Sequence, residues 1–424
     1  MPSSVSPMPR ILTMRERAAL TYDLLDERLT DLLPSLMREC GLDMWLIICQ
    51  EDNLDPVFTH LIPINTWCPI LQVLVFYDRG PDLGVERLNL SMTDTQGLYE
   101  RPWTGRHHEE QWPLLRQCIE ARNPKRIGIN IGTTQWAAGG LTHTLYDRLL
   151  ATLPPSFAER LVSAEPLITR FFACLTDREL TAFHHVVNVA HHLLGACYST
   201  ATIVPGVTTT RDLEWAYWQS AAELGLDLAF KPFFNLVRSD AMRTRYGADD
   251  QVIRPGDMIH SDVGIKYLRL NSDHQEWAYI LRPGERSAPT GLRHLMAEGN
   301  RLQDIFMASF QAGLTGNQLL ETILTRAHAA GIPKPKVYSH SLGFFLHEPG
   351  PLIGLPWEQE RCEGRGDVVL ETNQTFTMEL SITAPVPEWD GQEVTFSMEQ
   401  DVAFTRDGCY PIHGRQTDFH LVRF

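Results

Sequence analysis

The sequence lacks any apolar run near the roughly 18 residues that cross a bilayer. Its longest such runs, residues 44–49 and 70–77, are short, so no membrane partner is expected. It also lacks a run of basic residues. Lys and Arg number 37 against 52 Asp and Glu, a formal net charge of −15. A chain this acidic repels phosphate backbones, which argues against nucleic acid as a partner. The eight cysteines are scattered without a C-x-x-C pair, so buried free thiols are expected rather than a redox or metal motif. Residues 1–17 carry prolines and arginines but no apolar centre of a signal peptide, and a cytoplasmic location is expected. Gly128 and Gly132 follow a strand-like segment, yet no Lys-Ser/Thr comes after them, so they do not form a phosphate loop.

What is present is an ordinary globular balance. The 424 residues are 43% hydrophobic and 21% charged, enough for about two or three domains. Apolar positions at helical spacing run over residues 14–40. Strand-like stretches follow at 44–49, 71–77, 87–92, 126–131 and 160–163, with a helical stretch near 141–152. This alternation predicts an α/β domain. Residues 163–170 read as a connector to a new unit. That unit opens on Thr176-Asp177-Arg178-Glu179, a capping-box pattern. A second helix is predicted over 211–224 and a β-rich stretch over 257–281. The same order then recurs: a helix over 292–310, a box at Thr315-Gly316-Asn317-Gln318, a helix ending near Gly331 and Pro333, and β structure over 375–404. Gly206-Val207-Thr208 and Gly313-Leu314-Thr315 occupy equivalent joints 107 residues apart. Two copies of one helix–helix–hairpin plan are expected.

The last β-rich stretch alternates strictly. Phe376, Met378, Leu380 and Ile382 interleave with Thr375, Thr377, Glu379 and Ser381. Val394, Phe396 and Met398 interleave with Thr395, Ser397, Glu399 and Asp401. A turn-rich loop, residues 385–391, separates the two strands. Pairing about Trp389 sets Glu379 opposite Glu399. In the earlier hairpin, pairing about Tyr267–Leu268 sets Asp262 opposite Asp273. Opposed like charges are unfavourable in a sheet. Four carboxylates brought together from two such hairpins call for metal ions. His340 and His347, seven residues apart, lie between the hairpins.

This pattern resembles the pita-bread metallopeptidases, the creatinase, prolidase and aminopeptidase P family. That family carries Asp, a second Asp eleven residues on, then His, Glu and Glu. The matches here are Asp262, Asp273, His340, Glu379 and Glu399. The resemblance implies a creatinase-type α/β domain over residues 1–165, followed over 166–424 by a pita-bread α+β catalytic domain with an internal pseudo-two-fold repeat. It implies two divalent metal ions, Mn²⁺ first, with Co²⁺, Fe²⁺ and Zn²⁺ as alternatives. Asp262 would hold one ion with both oxygens, Asp273 and Glu399 would bridge the two, and His340 and Glu379 would complete the coordination of the second ion. Glu379 would act as general base on a metal-activated water, and His347 would stabilise the tetrahedral intermediate or anchor substrate. The implied activity is that of a Xaa-Pro aminopeptidase or dipeptidase acting on a small peptide, as a homodimer. Two other readings are the same centre acting on another C–N, C–S or P–O bond, and a non-catalytic pita-bread binding protein. The last is opposed by the full set of ligand residue types.

The sequence departs from the family outside the five ligands. Arg245, Lys336, Ser397 and Gln400 stand where the peptidases usually carry His, His, Arg and an acid. Arg245 and Lys336 are expected to grip an anionic group. His184-His185 and His191-His192 read as a polar helix face or subunit contact, and Cys409 and His413 as structural. The acidic segment 51–56 reads most simply as facing solvent; the resemblance offers a second reading, that it lines the substrate entrance through Asp52 and Asp55.

Overall fold

A computed structural model describes residues 8–105 and 107–423. Two compact units divide between Arg178 and Glu179, and the segment up to Ile11 belongs to the second.

The first unit begins with α1 (Met14–Glu27), closed at its start by a reciprocal box between Thr13 and Glu16. The single helix expected over 14–40 is interrupted. Residues Arg28–Leu32 form a π turn before α2 (Leu33–Glu39). Pro34 has no N–H for the carbonyl four residues back, so one turn widens. The wide turn buries Arg28, whose Nη1 donates to the Cys174 carbonyl (3.1 Å) and whose guanidinium lies 4.5 Å over Phe171.

There follow β1 (Met44–Gln50), β2 (Leu71–Asp78), β3 (Val85–Asn89), α3 (Gln111–Arg122), β4 (Ile127–Ile129), α4 (His143–Thr152), α5 (Pro155–Ala158), β5 (Leu161–Ser163) and α6 (Glu165–Ala173). The five strands form one sheet in the order β3-β2-β1-β4-β5. Strand β1 is antiparallel to β2 and parallel to β4. Its unbroken apolar run is explained by burial on both faces. Met44, Leu46 and Ile48 pack with Leu115, Ile119 and Leu145, while Trp45 stacks on Phe76 at 5.1 Å. The connector expected over 163–170 is instead α6, whose Leu167, Ile168, Phe171 and Phe172 are buried. The joint expected near 165 therefore falls at the start of a helix of the first unit.

The second unit runs through α7 (Asp177–Cys197), α8 (Thr210–Glu223), β6 (Asp227–Leu228), β7 (Phe233–Val237), α9 (Asp240–Tyr246), β8 (Met258–Val263), β9 (Ile265–Tyr267), β10 (Leu270–Asn271) and β11 (His274–Ile280). It continues with α10 (Thr290–Met307), α11 (Gly316–Ala329), β12 (Lys336–Val337), β13 (Ser339–His340), β14 (Leu352–Ile353), β15 (Gln374–Thr377), β16 (Leu380–Val386), β17 (Gln392–Met398), β18 (Asp401–Thr405), β19 (Gly408–Pro411) and β20 (His420–Val422). The expected repeat is present in the hydrogen bonding. Gly206 and Gly313 both turn at positive φ, and their N–H groups donate to Ile253 and Leu370. Thr209 and Thr315 then cap α8 and α11 with the same reciprocal box and bridge to Val252 and Val369. Each half offers a β layer, in the orders β20-β11-β8-β7 and β12-β16-β17. Leu292, Leu295 and Phe306 of α10 and Leu319 and Ile323 of α11 share a core with Phe376, Leu380, Ile382 and Phe396. The halves join where Gln275 and Glu399 bridge.

Asp55 does not face solvent. It is 1% exposed. Its carboxylate accepts from Val57 N and from Asn130 Nδ2, each at 2.8 Å, and Asn130 Oδ1 in turn accepts from Trp45 Nε1. A Cβ on Gly140 would fall on this carboxylate. Burial pushes the carboxyl up to about 6, against the donors that would lower it. A folded pKa above the unfolded value of about 3.9 favours folding at low pH, and the contribution is lost as pH rises from about 4 to 6. Asp55→Asn should therefore stabilise the protein over wild type by an amount that grows across that window, to roughly 3 kcal/mol at pH 7. Thermal midpoints of both proteins from pH 4 to 7 check this. A difference that does not change with pH would mean that Asp55 is not the titrating group.

Candidate metal centre

The hairpin between β8 and β11 turns at Leu268 and Arg269, both at positive φ (52° and 69°). Two successive left-handed residues make the tight turn whose twist suits the flanking strands. The turn centre lies one residue beyond the expected Tyr267–Leu268. Asp262 therefore faces Gln275, not Asp273. Asp273 stands two residues before Gln275, so it keeps the face of Asp262 as a diagonal neighbour. In the same register Asp273 lies opposite Gly264. A Cβ on Gly264 would come 2.2 Å from the Ser272 carbonyl oxygen, so only glycine lets the chains close there.

The second hairpin keeps its expected register. Leu380 faces Met398 and Met378 N donates to Gln400 O at 2.7 Å, which leaves Glu379 opposite Glu399 between them. His340 on β13 is buried, and its Nδ1 lies 3.1 Å from the Ser341 carbonyl. A carbonyl only accepts, so Nδ1 carries the proton and Nε2 keeps its lone pair. That lone pair lies on the side of Asp273 Oδ2, 3.9 Å away. Burial, then His347 and Arg365, push His340 down to about 3. It is the neutral form of imidazole that ligates metals.

Among the described residues, Asp273, His340 and Glu399 form one group whose ligand atoms lie within 4.8 Å of one another. Asp262 and Glu379 act on it electrostatically. Burial pushes Asp262 up to about 6, and burial with the charge of Asp262 pushes Glu379 up to about 8. Asp273 and Glu399 are raised well above the carboxylate range by burial first and then by neighbouring charge, that of Asp262, Glu379 and Asp401 on Asp273, and of Asp273 with the same three on Glu399. So crowded a set cannot all be ionised near neutrality without cations. The residues fit divalent ions on a second ground: Asp273 Oδ1 and Glu399 Oε1 are buried without a hydrogen-bond partner. Hard oxygens with one imidazole suit Mn²⁺, Fe²⁺, Co²⁺ or Zn²⁺.

The surroundings place the other residues singled out in the sequence. Arg245 is exposed on α9 and stacks 5.1 Å from the Tyr246 ring, and Lys336 is exposed and donates to the Pro356 carbonyl. His347 is exposed, with its ring 4.5 Å from that of His340. His191 is not on an open helix face. Its Nδ1 meets His413 Nδ1 at 3.2 Å and its Nε2 meets Gln400 Oε1 at 3.1 Å. Sequence reasoning missed four residues near the acids. Asp401 accepts from Asp273 N at 3.2 Å, and Gln275 donates to both glutamates. Tyr338 donates to Ser397 Oγ (3.3 Å) and is raised to about 12 by burial and, further down, by Glu379 and Glu399. Arg365 is half-buried, and its charge reaches both His340 and His347. Strand parity with Asp273 and Glu399 could have found Gln275 and Asp401. No local signal marks Arg365.

The model for metallopeptidase family M24 matches residues 182–406. No curated protein matches the chain in sequence. Among solved structures, the chain is similar to an X-Pro aminopeptidase from Thermotoga maritima, with a TM-score of 0.65 at 16% identity over 92% of this chain and 100% of that one. It is also similar to a Xaa-Pro dipeptidase from Bacillus anthracis, with a TM-score of 0.61 at 17% identity over 95% and 100%. A prolidase from Pyrococcus furiosus gives 0.55 at 14% identity over 91% and 98%. At these identities the likeness is one of fold.

The raised carboxyls set a pH rule for metal binding. Their folded pKa values lie above the unfolded ones, so the metal-free protein gains stability from them below about pH 4 and loses it as pH rises toward 8. Protons compete with cations over that range. Saturating Mn²⁺ should raise the thermal midpoint by about 5 °C at pH 8, from roughly 2.7 kcal/mol at a hundredfold excess over Kd. The rise should shrink at pH 5 and vanish in Asp273→Asn. Equal shifts at both pH values, or an unaltered shift in the variant, would count against this centre.

Proposed function

The chain belongs to metallopeptidase family M24, and on that premise we propose that it is a hydrolase of small Xaa-Pro peptides, of the dipeptidase or aminopeptidase type, working with two divalent ions. The observation that carries the reading is the convergence of four acids and one neutral imidazole in a single buried place. Asp262, Asp273, His340, Glu379 and Glu399 would hold the ions, with Mn²⁺ first and Co²⁺, Fe²⁺ or Zn²⁺ as alternatives. When bound, such ions make a water nucleophilic near neutral pH and polarise the scissile carbonyl. Residues 166–424 are the catalytic region in this reading, and residues 1–165 the accessory domain.

The chain's own groups do the rest. Glu379 takes the proton of the attacking water at a carboxylate oxygen and delivers it to the leaving nitrogen. His347, next to His340, donates a hydrogen bond to the carbonyl oxygen as charge develops on it. Arg365 supplies a positive charge on the same side of the site as both histidines. Its Nη2 already donates to the Glu348 carbonyl at 3.0 Å, and its charge there suits the free carboxylate of a dipeptide. This favours dipeptides over longer substrates. A cytoplasmic homodimer completes the reading. Among the described residues no helix is long and apolar enough to cross a membrane.

The test is turnover of Xaa-Pro dipeptides, their C-terminal amides and Xaa-Pro-containing tripeptides by Mn²⁺-loaded protein. Glu379→Ala should lose at least about a thousandfold in kcat. Arg365→Ala should raise KM for dipeptides by about 10- to 100-fold, the worth of a charged hydrogen-bonded contact, and leave the amides unchanged. No cleavage of any of them with metal bound would overturn the peptidase reading and turn the search to other C–N, C–S or P–O bonds.

A further inference from the structure

The seam between the two halves of the catalytic unit runs through one pair of residues. Gln275 N donates to Glu399 O at 3.1 Å and Glu399 N donates to Gln275 O at 3.2 Å. The Gln275 side chain turns to the same place. Its Nε2 donates to Glu379 Oε1 at 2.7 Å and to Glu399 Oε2 at 2.8 Å. An amide nitrogen has two hydrogens, so each carboxylate receives one. Gln275 Oε1 lies 3.1 Å from His260 Nε2, which must therefore carry the proton. The His260 ring packs 4.7 Å from Trp277, and the Trp277 indole stacks on Phe396 at 4.4 Å. Flipping the amide would set its oxygen against two carboxylates and its NH₂ against an N–H. Gln275 is buried, so no water is at hand to repair the flip.

We infer that Gln275 is a positioning residue, oriented by His260, that fixes the spacing of the Glu379 and Glu399 carboxylates so that they present their remaining lone pairs to a divalent cation. Each carboxylate oxygen has lone pairs to spare beyond the one that accepts N–H. Glu399 Oε1 is buried with no hydrogen-bond partner, and Glu399 offers a carboxylate oxygen to the group with Asp273 and His340. A neutral amide meets the need where a cationic side chain would not. It ties down two carboxylates without bringing a charge that competes with the ion. The inference rests on the metal-centre reading above and adds a residue outside its five ligands.

The experiment is Mn²⁺ titration of chelator-treated full-length protein, read by the loss of the free-ion electron paramagnetic resonance signal, alongside kinetics at saturating Mn²⁺. Gln275→Ala should weaken binding by about 10- to 100-fold, the usual effect of removing a group that orients metal ligands. His260→Phe keeps the ring against Trp277 and removes only the N–H, and should show the same effect to a smaller degree. At saturating metal Gln275→Ala should lower kcat with little change in KM for a dipeptide. Gln275→Asn, too short to reach both glutamates, guards against misfolding of the alanine variant and should also bind more weakly. Wild-type affinity in folded Gln275→Ala or Gln275→Asn overturns the inference, as does tighter binding, which would make the amide a competitor of the ion. If wild type itself takes up no Mn²⁺, the metal-centre reading fails first, and this inference falls with it.

Discussion

Five carboxyls in one dry seam are the constraint around which the second unit is built. Burial raises all of Asp262, Asp273, Glu379, Glu399 and Asp401, and the charges of their neighbours raise Asp273, Glu379 and Glu399 further. The basic side chains paired with them are histidines: His340 lies 3.9 Å from Asp273 and His274 lies 3.4 Å from Asp401. Burial holds both imidazoles far below their ordinary values, so neither offers a counter-charge at neutral pH. The fold supplies hydrogen-bond donors, Gln275 and the Asp273 amide among them, but not the positive charge. An external cation, or protons, must supply it.

The other face of β11 makes the contrast. Asp273 and Gln275 share one face, and His274 and Glu276 share the other. Burial pushes Glu276 upward too, yet its carboxyl ends below the ordinary range. The cause that brings it down first is the hydrogen bond with His420, 2.5 Å away. One strand thus carries an acid that stays ionised within a histidine cluster and, three residues away, an acid that cannot ionise without help. Burial is common to both, and the partners decide the difference. The acid with its own partners is a structural group, and the one without them is the place for a cation.

The sequence made part of this legible. Strict alternation about Trp389 was enough to oppose Glu379 and Glu399, because the loop between the strands sits symmetrically about that residue. The glycine joints at Gly206 and Gly313 and the repeated order of elements declared the repeat, while the box at Thr209 that matches the one at Thr315 was not read. The Asp262 hairpin was misread by one residue. Its turn uses Leu268 and Arg269 at positive φ, where asparagine or glycine would have been the visible signal. The break after α1 was signalled by Pro34 yet hidden by a continuous apolar period. Gln275 and Arg365 were not read for a different reason. Their meaning lies in neighbours about 100 and 25 residues away, which no local pattern displays. The same holds for His191 of α7, whose partners His413 and Gln400 lie more than 200 residues away.

The misread turn also explains why so strained a connection is kept. A β-branched-free pair at positive φ still costs about 1 kcal/mol or more at each residue. A turn one residue earlier would relieve it and would set Asp262 opposite Asp273. It would also shift β11 by two residues against β8, which keeps each side chain on its face but carries Gln275 about 7 Å along the strand from Glu399. Gly264 opposite Asp273, the paired backbone bonds of Gln275 and Glu399, and the Met378–Gln400 bond all hold the observed register. The positions of the acids are therefore set by backbone pairing from both halves, and the side chains have only to be the right length.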